Sequence, residues 1–435
     1  MNVRNFLLAA ALAFLATGSY ALDWQADSLT TATLANTPSP PTNIEEELLG
    51  SVKVPFDLNG SGFEVSAHTW VGYPSTAAAD FDTLNFHFVY LKLNDEIKKL
   101  QWTFGRYLLT EPTGLIANQP VDGSKLDFDF NGIGLKIAAG YTGLVMRSTT
   151  TLVLSLADQR SEDFLASPRF FGAFESSIPL AASGHTLTVA ALAQQDLTPT
   201  SKLVNEWSTT PEADKGGKVD TEYLTLKADG PLADKVFYTA FATFEAGRTL
   251  SFLTDSSNSS FYEYKPITAF LGGVQASWFV PELLSAAFSF RALFASGDGD
   301  VDSPYEGNTK DNSTFFSPVN TTVLGAVFNP GLSNLGYYEL NGSVKPIAGQ
   351  EFVVGSKLLG FHRLVTGTMN ASGVLRLGPI WLGEELDVYS SWQPYSDLSL
   401  TASVGAFLPT SGTYASSTTG SGFQYALTTG FDLSL

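Results

Sequence analysis

The sequence predicts an all-β fold, a transmembrane up-and-down antiparallel β-barrel of about eighteen strands with sixteen as the alternative count. Three observations carry this. Only 15% of the 435 residues are charged, where soluble domains have about a quarter. Hydrophobicity alternates with period two in segment after segment of about ten residues, as a strand between two solvents requires. Short and long connections alternate as well, the pattern of short turns at one end of a barrel and long loops at the other.

The composition excludes several classes. With 44% hydrophobic residues the chain is not disordered, and with no Cys it has neither a disulfide scaffold nor a lipid-modified cysteine anchor. A spanning helix needs about 18 to 20 mainly apolar residues, and the only long apolar run, Phe6 to Ala16, is too short. That run follows Arg4 and precedes Ser19-Tyr20-Ala21, which predicts a secretory signal over residues 1–21, cut after Ala21. Loss of Arg4 takes the net charge from -19 to -20. So acidic an exported chain is a poor partner for nucleic acid or anionic membrane surfaces.

Residues 22–435 then form one barrel domain, its first strand at 23–35. Short connections fall near 57–62, 94–99, 140–148, 180–185, 229–234, 280–283, 346–349 and 393–397. Longer polar ones fall near 36–48, 74–81, 110–125, 158–167, 197–217, 247–265, 296–333, 363–377 and 409–421. Among the strands between them, 284–295 sets Phe288, Phe290 and Phe294 against Ser289 and Arg291. The 398–407 segment sets Leu398, Leu400 and Val404 against Ser399, Thr401 and Ser403. At the C-terminus Phe423, Tyr425, Leu427, Phe431 and Leu433 oppose Gln424, Thr428 and Asp432. In lipid every backbone polar group must be paired within the protein, and without apolar helices only a closed barrel achieves that. A barrel this wide leaves an aqueous interior, narrowed by infolded loops.

Strand parity assigns the lumen face. It places Arg169, Glu175, Arg291, Glu339, Lys345, Glu351, Lys357, Glu385 and Asp387 inside. Lys136 joins them only if residues 132–134 contain a bulge. Arg106 shares a face with Trp102 and Phe104, and Glu384 one with Leu382, Leu386 and Val388, which predicts a bulge or a rim position for each. If the 74–81 loop closes symmetrically, His68 lies opposite His87 inside the wall, either as a plain hydrogen-bonded pair or as a metal or pH-sensitive site. Asp298, Asp300, Asp302 and Glu306 place four carboxylates in the longest loop. That oxygen-rich set suits a hard cation such as calcium, with a solvated acidic loop as the alternative. Serine-histidine sites, phosphate loops and zinc-spaced ligands do not stand out, so no enzyme is predicted.

Several motifs are similar to those of the alginate-export family of outer-membrane porins. Phe294-Ala295-Ser296-Gly297-Asp298, an acidic loop and Thr314-Phe315 resemble a strand end and outer loop of that family. Leu382-Gly383-Glu384-Glu385-Leu386-Asp387 followed by Val404-Gly405-Ala406-Phe407-Leu408-Pro409 resembles its C-terminal hairpin. Phe104-Gly105-Arg106-Tyr107 and Asp129-Phe130-Asn131-Gly132 resemble two elements upstream. The resemblance implies an eighteen-stranded monomeric barrel in the outer membrane of a diderm bacterium. Its partners would be outer-membrane lipid and lipopolysaccharide or an equivalent, the barrel-assembly machinery and a hydrophilic solute or saccharide. With 43 acidic against 24 basic residues, alginate itself is not carried over as cargo. The expected function is a channel whose selectivity comes from mixed lumen charge and infolded loops. The alternative is a surface adhesin presenting the loops at 197–217, 247–265 and 296–333.

Overall fold

In the computed structural model the alternating segments become antiparallel strands of one continuous sheet. The structure describes residues 23–35, 43–55, 62–74, 80–88, 90–95, 100–130, 132–145, 147, 150–155, 158, 165–180, 184–199, 217–257, 260–302, 307–414 and 422–434, with only the backbone course before residue 100 apart from 31–35. The signal segment 1–21 and Glu306 lie outside the described residues.

The strands run in chain order: β1 (Asp23–Ala35), β2 (Asn43–Pro55), β3 (Gly62–Pro74), β4 (Asp80–Phe88), β5 (Tyr90–Asp95), β6 (Leu100–Thr110), β7 (Asn118–Phe130), β8 (Ile133–Tyr141), β9 (Arg169–Leu180) and β10 (His185–Asp196). They continue as β11 (Val219–Ala233), β12 (Val236–Thr254), β13 (Ser260–Val280), β14 (Ala286–Ala295), β15 (Leu335–Val344), β16 (Glu351–His362), β17 (Trp381–Tyr395), β18 (Leu398–Pro409) and β19 (Gln424–Ser434). β4 pairs with β3 and β5 with β6, and one position separates them, so together they fill one place in the wall. Eighteen wall positions result. β1 pairs with β2 on one side and β19 on the other, which closes the sheet on itself and leaves no edge.

From β6 onward the strands put large apolar side chains on one face. Trp102, Phe104 and Leu108 of β6, Phe170 and Phe174 of β9, and Leu224 and Leu226 of β11 are exposed. So are Phe270 and Trp278 of β13, Phe288 and Phe290 of β14, and Leu386, Val388 and Trp392 of β17. This outward belt is the surface hydrocarbon requires. At its long-loop end His362 stacks between Tyr338 and Trp381, an aromatic girdle spanning three neighbouring strands.

Several expected boundaries move: the 110–125 loop shrinks to 111–117 because β7 starts at Asn118, and β2 starts at Asn43 inside the expected 36–48 loop. The region near 140–148 is not a short turn; the hairpin closes between Phe130 and Ile133, and β8 and β9 are separated by the long connection 142–168. Gly132 adopts φ +86°, its N–H donates to Asp129 Oδ1 at 2.8 Å, and Phe130 pairs with Ile133, so the chain reverses tightly between those two residues. The shifted turn carries Lys136 inward with no bulge, because the β7–β8 register runs unbroken. The 247–265 loop shrinks to 255–259, since β12 and β13 extend to 19 and 21 residues beyond the usual span.

Candidate functional site

The lumen is filled from the long-loop end by loop segments, and the inward side chains of the wall hold them. Phe315, Phe316, Val319, Leu324, Val327, Phe328 and Leu332 of the 296–334 connection are all buried. All of these but Phe315 belong to one cluster with Leu115, Ile116 and Ala117 of the 111–117 connection and with Tyr107, Tyr337, Phe361 and Phe407 of the wall. The two connections meet through Asn320, whose N–H donates to Ile116 O at 3.0 Å while its Oδ1 accepts the Asn118 N–H at 2.9 Å. The Thr322 hydroxyl donates to Leu115 O at 3.1 Å.

Buried carboxylates fasten these segments by accepting backbone N–H groups that would otherwise be orphaned. Glu111 accepts the N–H of Thr113, Leu115 and Ile116. Glu245 of β12 accepts the Ser317 N–H at 2.9 Å, and the Tyr223 hydroxyl donates to Ser317 O. Glu385 of β17 accepts the N–H of Val327 and of Phe328, each at 2.8 Å, and Asp387 that of Ala326 at 3.4 Å. A segment tied to β7, β11, β12 and β17 at once runs across the interior and narrows it.

The predicted lumen residues separate into three groups. Arg169, Glu175, Arg291, Glu339, Lys357, Glu385 and Asp387 all share the inward parity of their strands, opposite the exposed apolar side chains. One hydrogen-bonded row of the wall contains Asp229, Thr239, Gln275, Arg291, Glu339, Leu359, Glu385, Phe407 and Gln424 in register. Lys345 and Glu351 are a correction: they pair at 2.5 Å in the exposed turn after β15, at the short-turn rim rather than along the bore. The histidines are another. The register places Asn85 opposite His68 and Ser66 opposite His87, so the two histidines are two positions out of register, and the pairing itself shifts between Thr69 and Trp70.

Most inward cations are committed. Lys136 pairs with Glu175 at 2.7 Å, Lys125 with Asp127 at 3.2 Å and Lys227 with Asp229 at 3.5 Å. Arg169 donates to Val153 O at 3.0 Å and lies 3.8 Å from Asp158, so it anchors the 142–168 connection. Lys357 lies over the Tyr389 ring at 5.8 Å. Arg291 alone among the described lumen cations has neither an ion pair nor a ring beneath it, and it lines a cavity of about 120 Å³ with Lys227, Thr239, Gln275 and Thr113. Sequence reasoning missed Lys227 and Glu245, and it tied Lys136 to a bulge that the register does not contain. The parity of Lys227 with Tyr223 and Thr225, and of Glu245 with Thr243, was the available signal.

The acidic loop is rearranged relative to expectation. Asp298, Asp300 and Asp311 converge, with one oxygen from each lying within 4.8 Å of the others. Asp302 turns away to Arg376 at 2.8 Å. Asp298 accepts the N–H of Asp300 and Thr314, and Asp300 accepts the Thr309 hydroxyl and the Lys310 N–H. These oxygens shape the turn. In the next connection Arg363 is fully buried and donates to the carbonyls of Gly367, Leu375 and Arg376, with burial lowering its pKa.

No family model matches the chain, and no curated protein matches it in sequence. Solved structures do. OpdL of Pseudomonas aeruginosa aligns with a TM-score of 0.57 at 12% identity, over 95% of this chain and 99% of that one. OccAB2 of Acinetobacter baumannii aligns at 0.55 and 11%, over 96% and 99%. OccK2 (OpdF) of Pseudomonas aeruginosa, solved in complex with glucuronate, aligns at 0.52 and 12%, over 96% and 100%. The fold is that of the Opd and Occ barrels. These matches do not point specifically to the alginate-export family, so the motif resemblance holds for the porin-type wall and no further.

Proposed function

We propose that the protein is an outer-membrane channel that passes small hydrophilic solutes, carboxylate-bearing saccharides or acids among them, and catalyses no reaction. The observation that carries this reading is the uncommitted Arg291 beside Lys227, below a constriction built from two infolded connections inside an eighteen-position wall. A closed wall with an apolar outside and a polar, narrowed inside sorts solutes by size and charge. Arg291 gives a passing carboxylate a guanidinium that, among the described residues, has no ion-pair partner. The glucuronate bound by OccK2 is a ligand of that kind on the same fold. In this reading the long loops face the exterior, the short turns the periplasm, and the barrel works as a monomer in outer-membrane lipid after assembly by the barrel-insertion machinery.

The adhesin alternative loses its largest element, because much of the 296–334 connection lies within the barrel. Planar-bilayer recording of the refolded protein tests the proposal. Discrete conductance steps whose current is partly blocked by millimolar glucuronate, and less so by neutral glucose, support it. Silent membranes from a folded barrel overturn it.

A further inference from the structure

We propose that residues 323–330 form a releasable strap across the lumen, latched to the wall by the Glu385 carboxylate, so that unlatching converts a narrow bore into a wide one. This rests on the channel reading above. The strap is fixed at both ends. On one side Thr321 N–H donates to Thr151 O at 2.8 Å, and Asn320 and Thr322 bind the 111–118 region. On the other side Gly331 N–H donates to Asn370 O at 2.6 Å and Asn334 N–H to Ser296 O at 3.0 Å.

Between these anchors the strap's polar ties to the wall are concentrated at one place. The N–H groups of Val327 and Phe328 go to the two oxygens of Glu385, and that of Ala326 to Asp387. The Tyr337 hydroxyl reaches Leu324 O at 3.4 Å, and the Leu324 N–H bond to Asn329 stays within the strap. Phe328 stacks on Phe407 with ring centroids 4.6 Å apart. Two glycines fit the strap to its latch. A Cβ on Gly325 would fall 2.8 Å from Glu385 Oε1, and one on Gly405 would fall 2.7 Å from Val327 Cγ2 and 2.9 Å from Ala326 Cβ. Two adjacent N–H groups pointing the same way need two acceptor oxygens side by side, which a carboxyl group offers and an amide, with a single oxygen, does not.

The test records single-channel currents from the refolded full chain. Glu385→Gln turns one acceptor into a donor facing an N–H, and its open-state current is expected to rise roughly twofold with larger fluctuations. Val327→Pro removes one of the same bonds from the strap side and is expected to act in the same direction, which covers the case in which the Gln variant does not fold. The chain has no Cys, so Ala326→Cys with Gly405→Cys introduces a single possible disulfide, and a slight outward shift of the strap brings the pair to the spacing of about 3.8 Å that a disulfide needs. Oxidation of that pair in the Glu385→Gln background should return the current to the wild-type level, and reduction should release it. Unchanged current in variants whose barrels are shown folded by heat-modifiable electrophoretic mobility overturns the strap and leaves the channel reading standing. Silence of the wild type and all variants overturns both.

Discussion

The Arg106 guanidinium holds Asp122 in two hydrogen bonds, Nε to Oδ1 at 2.9 Å and Nη2 to Oδ2 at 2.7 Å, across neighbouring strands on the outward face of the wall. A third bond, Nη2 to Leu144 O at 2.9 Å, ties the pair to the connection beyond β8 and so to the long-loop rim. The rim placement answers how an arginine tolerates a face shared with Trp102 and Phe104. Asp122→Ala strips the charge of its partner and is expected to destabilise the barrel by about 1.5–3 kcal/mol. Urea unfolding in micelles followed by tryptophan fluorescence measures this. The double variant with Arg106→Met should cost less than the sum of the two single changes, and strict additivity would show that the pair is not coupled.

Arg291 is expected to set charge preference without holding the wall together. Replacement by Ala removes an attraction of about 1 kcal/mol for a carboxylate at contact distance in water, roughly fivefold in anion over cation permeability. Reversal potentials across a salt gradient report the ratio. Lys136→Ala with Glu175→Ala removes a neutralised pair and should leave that ratio nearly unchanged.

The loop after β14 should have its own pH dependence. Burial holds the Asp298 carboxyl above the ordinary carboxylate range. At Asp300 burial pushes upward too, but hydrogen bonds from the Thr309 hydroxyl and from Asp298 outweigh it and leave the group low. As pH falls through the raised Asp298 value, the folded loop takes up a proton before the unfolded chain does, so its stability rises. With further acidification the stability that Asp300 contributes above its unfolded value is lost as pH passes through its depressed one. Protection of the 297–314 amides against hydrogen exchange, corrected for intrinsic rates, should therefore pass through a maximum on the acid side of neutrality. A monotonic fall from pH 7 downward would contradict this.

Gly383 has φ +151°, and a Cβ there would lie 2.5 Å from Leu408 O. Any side chain must distort the β17–β18 ladder, so Gly383→Ala is expected to cost about 1–3 kcal/mol in unfolding free energy. The same unfolding experiment in micelles decides it.

That glycine also marks a limit of the sequence. Strict alternation carried Leu382 onto the face of Leu386, but the register shifts between Phe361 and His362. Leu382 turns inward and is buried, while Glu384 stays outside and exposed. The wall was legible because each strand meets two solvents, and parity recovered the inward side of Arg291, Glu339, Lys357, Glu385 and Asp387. The Asn131-Gly132 dipeptide is itself a turn signal in the sequence, and overlooking it left the inward side of Lys136 dependent on a bulge. The infolding of residues 313–334 was not legible. Phe315, Phe316 and Phe328 carry no strand period, and their partners Glu245 and Glu385 lie far along the chain. Which acids of a polar loop meet in space is likewise set by its folding back, as the replacement of Asp302 by Asp311 shows.

Closure of the wall joins Thr33 to Thr428, whose hydroxyls lie 3.3 Å apart across 395 residues of chain. In the order of synthesis, the first strand can find its second neighbour only after nearly all the rest has been made. Until then both β1 and the growing end present unpaired backbone edges, the feature that invites aggregation in water and misinsertion in lipid. Closure of the wall is therefore one late step, taken only once β19 is available to pair with β1. A nascent chain halted before β19 would be a liability to the cell rather than a smaller pore.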